Sequence, residues 1–87
     1  MSDEERYKLV NEAGYEAFQL LVKRMEALGE IPFGELFSAM VGASAVCMAN
    51  TLRPAIEQST TRSLAADNLS AQAIKQVRAL LESAVRG

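Results

Sequence analysis

Histidine and tryptophan are absent from this sequence, and cysteine occurs once. Without histidine, the chain lacks the commonest general base and the commonest biological metal ligand. A single cysteine excludes an internal disulfide, and with it the small disulfide-stapled folds of secreted proteins. The first ten residues, MSDEERYKLV, are acidic and do not form the basic and apolar regions of a secretory signal. We therefore expect a cytoplasmic protein without a metal or another cofactor.

The chain also has no large excess of charge of one sign. Nine Lys and Arg residues stand against 11 Asp and Glu residues, for a formal charge of −2. This balance excludes a strongly basic protein that coats nucleic acid by bulk charge. Hydrophobic residues make up 49% of the 87 residues, a proportion typical of a folded protein. The length allows one domain, so we expect a single helical domain over residues 1–87.

Glycine (5) and proline (2) are scarce, and good helix formers dominate. Ser2 and Glu5 are spaced as a capping box, which predicts a first helix from Asp3 to Leu28. Gly29 is then a typical left-handed stop. The apolar residues of this helix recur at steps of three and four, which indicates one buried stripe. That stripe contains Tyr7, Val10, Gly14, Ala17, Phe18, Leu21, Met25 and Leu28.

Two further helices are predicted after the first. The second begins near Pro32, and Pro54 predicts a kink or break in it, because proline cannot donate to the carbonyl of Asn50. Ser70 is a good N-cap for a third helix that runs to the end of the chain. Residues 58–69 are left open between helix and loop. The predicted fold is all-α: a small bundle of three helices, or four helical segments if Pro54 breaks the second.

The second helix carries no charged residue between Leu36 and Thr51. Its apolar and small residues surround the helix completely, and such a helix is normally buried on all sides. Small residues four apart let two helix backbones approach closely. We therefore expect a homodimer whose core is the second helix, although a self-contained monomer and a membrane-spanning helix are alternatives. The expected self-association residues are Ala39, Gly42, Ala43, Val46 and Cys47.

No catalytic constellation can be read from the sequence. Cys47 has no neighbouring base to activate it, so we expect a buried apolar residue there. Glu12 and Glu16 share a helix face, but the Glu-x-x-His pattern of helical metal sites is absent. We expect a non-enzymatic protein that binds itself and another protein, as an inhibitor, adaptor or regulator, and no membrane. Glu12, Glu16, Lys23 and Arg62 are candidate contacts for the protein partner.

A DNA-binding regulator is the alternative function. Residues 60–83 resemble a helix-turn-helix in which Leu64 lies in the first helix and Ser70 caps the second. Lys75 and Arg78 would then reach DNA. The usual glycine of the turn is missing, and the density of cations is low for phosphate contacts. An enzyme that uses Ser, Lys or carboxylate chemistry is a third class.

Overall fold

A computed structural model describes residues 1–86 of the chain, which form three α-helices and no strand. The helices are α1 (Asp3–Glu26), α2 (Phe33–Glu57) and α3 (Arg62–Arg86). The predicted all-α fold class with three helices is confirmed. Gly87, the predicted last residue of the domain, lies outside the described residues.

Local signals set both ends of α1. The Ser2 hydroxyl accepts a hydrogen bond from the backbone N–H of Glu5 at 3.1 Å, which satisfies one of the free donors at the helix start. The helix ends at Glu26, slightly before the predicted end at Leu28. Gly29 follows with a φ of 86°, a left-handed conformation that glycine adopts without the steric cost of a side chain.

Helix α2 continues through Pro54 and ends at Glu57. The break that was one of the predicted outcomes at Pro54 does not form. The proline removes one donor, but the carbonyl of Pro54 still accepts the N–H of Gln58 at 3.3 Å and closes the last turn. The proline therefore lies close to the helix end, where few backbone hydrogen bonds depend on it.

Helix α3 begins at Arg62, well before the predicted start at Ser70. The Ser59 hydroxyl accepts the N–H of Thr61 at 3.1 Å and so organises the residues before the helix. Ser70 lies inside α3 and is exposed, so its prediction as an N-cap is wrong. The reason is that Leu64, Ala65 and Ala66 are good helix formers and that Leu69 is half-buried, which together outweigh the local capping preference.

The helix-turn-helix of the alternative DNA-binding function, over residues 60–83, does not form. Residues Arg62–Arg86 are one continuous helix, without a turn between Leu64 and Ser70. Lys75 and Arg78 therefore do not lie on a separate recognition helix.

The chain divides into two compact units, Met1–Ala45 and a second that begins at Val46. No described residue is buried in either unit. In the first unit the half-buried side chains come from α1, the connection and the first half of α2. They are Leu21, Val22, Met25, Ile31, Leu36, Met40 and Ala43. In the second unit they are Leu52, Ile56, Ser59, Ala65, Ala66, Leu69 and Ala73.

Candidate interaction surface

Large hydrophobic side chains are exposed on all three helices, and none of residues 1–86 is buried. Val10 on α1, Phe37 on α2 and Leu81 on α3 are examples. The helices are therefore formed, while many of their large apolar side chains remain exposed.

The five predicted self-association residues all lie on α2, at spacings of three and four residues that define one side of the helix. We call this side the small-residue face (Ala39, Gly42, Ala43, Val46 and Cys47). Ala43 is half-buried and the other four are exposed. A Cβ atom built on Gly42 would meet nothing within 4 Å, so the backbone there is open to close approach.

Cys47 is exposed, so the expectation of a buried residue is wrong for the single chain. The residue belongs to the small-residue face, of which four of the five residues are exposed. Its place between Val46 and Met48 gives it no neighbouring base or cation in sequence, and chemical reactivity depends on such a neighbour.

A second surface of α2 was missed by the sequence analysis. Phe33, Phe37 and Val41 follow one another at steps of four residues and are 78%, 60% and 53% exposed. The two phenylalanine rings stack with centroids 6.1 Å apart. At about 100° of rotation per residue, these side chains lie on the opposite side of α2 from the small-residue face. We call them the aromatic stripe (Phe33, Phe37 and Val41). Residue volume was the property of the sequence that could have identified this stripe, because hydrophobicity alone is uniform around α2.

Three polar side chains in the uncharged part of α2 form hydrogen bonds within the helix. Ser44, Asn50 and Thr51 each donate a hydrogen bond to the backbone carbonyl four residues earlier, at 2.9, 3.0 and 2.9 Å respectively. Burial of a polar group is costly when its hydrogen bond is lost, but these donors keep their partners within the helix. These donors therefore remain hydrogen-bonded when a partner covers this part of α2.

Each unit contains a shallow apolar groove. The groove in the first unit has a volume of about 390 Å³ and lies between α1 and the start of α2. Apart from Glu26, Gly29 and Glu30, its lining consists of apolar side chains: Phe18, Val22, Met25, Ile31, Leu36 and Met40. The groove in the second unit has a volume of about 370 Å³ and includes Met48, Leu52, Leu69 and Val77. Neither lining contains a cysteine, lysine or arginine, so neither groove brings a nucleophile and a cation together.

The four candidate partner contacts lie on α1 and α3. Glu12 is within 3.9 Å of the Lys8 Nζ atom, an exposed ion pair that contributes little to stability. Glu16 and Lys23 line the same shallow depression on the outside of α1. Arg62 is the exposed first residue of α3. The structure thus brings Glu16 and Lys23 together on one helix surface and leaves all four side chains accessible.

The structure also bears on metal binding and membrane insertion. Within residues 1–86, no group of three or more Cys, Asp or Glu side chains could hold a metal ion. Helix α2 is long and apolar enough to cross a membrane, judged by length and composition. The chain matches no protein-family model, and neither a curated protein nor a solved structure is similar to it.

Proposed function

We propose that this chain is a non-enzymatic helical protein that acts by binding other proteins, as an inhibitor, adaptor or regulator, and that it associates with itself through α2. The supporting observation is the exposure of large hydrophobic side chains on all three helices, together with the lack of a buried residue among residues 1–86. Apolar side chains that would form a core in an ordinary domain lie on the surface instead. A second copy is the simplest source of cover, since two-fold dimers are the commonest oligomers.

In this assembly the small-residue face of α2 meets the same face of a second copy. Ala39 and Gly42 present almost no side chain, so the two helix backbones come close enough for extensive van der Waals contact. The aliphatic side chain of Val46 fills the space beside them. Cys47 becomes a buried apolar residue of the interface, which is the role that its sequence environment favours.

The charged residues on the outside of α1 and α3 supply the contact with a different protein. Glu12, Glu16, Lys23 and Arg62 stay exposed and carry charges of both signs. Charged groups at the rim of an interface mainly contribute specificity and the rate of association. The proposed protein works in the cytoplasm and needs no cofactor for this activity.

Cover by a membrane is less favoured than cover by protein. A bilayer around α2 would leave the exposed apolar residues of the other helices in water. Val10 on α1 and Ile74 and Leu81 on α3 are examples. A second copy can cover apolar side chains on all three helices, because it brings apolar faces of its own.

The oligomeric state tests the proposal. We expect sedimentation or light scattering to report a particle of twice 9.4 kDa for the unmodified chain. Ala39→Glu places a carboxylate on the small-residue face and should dissociate the particle. Gln19→Glu, on the polar side of α1, adds the same charge and should leave it intact. A 9.4 kDa particle at all concentrations would contradict self-association.

Capture from the native cells tests the binding of another protein. The unmodified chain should retain a partner, and Glu16→Lys combined with Lys23→Glu should lose that partner without a change in oligomeric mass. This pair of substitutions leaves the net charge of the chain unchanged. Capture that returns only the chain itself would contradict the role as an inhibitor, adaptor or regulator.

A further inference from the structure

We draw no further inference here: the strongest candidate, the apolar groove between α1 and the start of α2 that Glu26 and Glu30 border, is an unpartnered apolar surface, and nothing in the structure shows what covers it.

Discussion

Replacement of Gly42 by alanine separates the contacts within one chain from contacts with a second copy. Gly42 lies inside α2 and Gly14 lies inside α1, and a Cβ atom at either position would meet nothing within 4 Å. Neither glycine has a positive φ. Alanine is more favourable than glycine in a helix interior by about 0.8–1 kcal/mol. Contacts within the chain therefore predict that both substitutions raise the free energy of unfolding by about 1 kcal/mol.

The proposed dimer reverses the sign of the stability change expected for Gly42→Ala. The added methyl group would enter space that the second copy occupies, and overpacking of this kind costs about 1–3 kcal/mol. After the gain in helix propensity is subtracted, Gly42→Ala should lower the free energy of unfolding of the dimer by up to about 2 kcal/mol. Gly14→Ala should keep its gain, because the small-residue face does not include it.

Unfolding by urea or heat, followed by circular dichroism, measures this difference. Both variants and the unmodified chain must be compared at one protein concentration, because the stability of an associating chain depends on concentration. A change of 1 kcal/mol corresponds to about 4–8 °C in melting temperature for a chain of this length. An equal gain in stability for Gly42→Ala and Gly14→Ala, with the dimer mass unchanged, would refute close contact at Gly42.

Three substitutions test the local structure. Ser2→Ala removes the cap of α1 and should lower stability by about 1 kcal/mol in thermal unfolding, while Ser2→Asp should not; equal stability of both would contradict the capping role. Gly29→Ala forces a side chain into a φ of 86° and should cost about 1–2 kcal/mol in urea unfolding. Gly34→Ala, which has a negative φ and open space, is its control and should cost nothing. Pro54→Ala restores a donor to the carbonyl of Asn50 and should raise the melting temperature by the equivalent of about 1–3 kcal/mol; a lower melting temperature would contradict this.

Sequence reasoning succeeded where the structural cause is local. The start of α1 depends on the Ser2 hydroxyl and an N–H three residues away, and its end depends on the left-handed conformation of Gly29. Both causes lie within a few residues and are visible in the letters of the sequence. The same type of signal at Ser70 failed, because α3 already begins at Arg62 and Leu69 is half-buried in the second unit. Contacts that are distant in sequence outweighed a local preference of about 1 kcal/mol.

The candidate surface was predictable in part. The uncharged run from Leu36 to Thr51 identified α2 as the helix in need of cover. The aromatic stripe was not predicted. Apolar residues surround α2, so hydrophobic periodicity does not indicate which side of the helix is covered. The exposure of Cys47 was not predicted either, since burial depends on what other elements cover.

The order of residues was sufficient to establish three helices, most of their ends and the uncharged character of α2, because capping, propensity and charge act over a few residues. The folded chain was needed to show that α1 covers the side of α2 with Leu36 and Met40 and leaves Phe37 and Val41 exposed. Which face is covered depends on how helices separated by a turn meet in space. How the helices pack depends on the shapes of the side chains at the contact, and a hydropathy pattern does not describe those shapes.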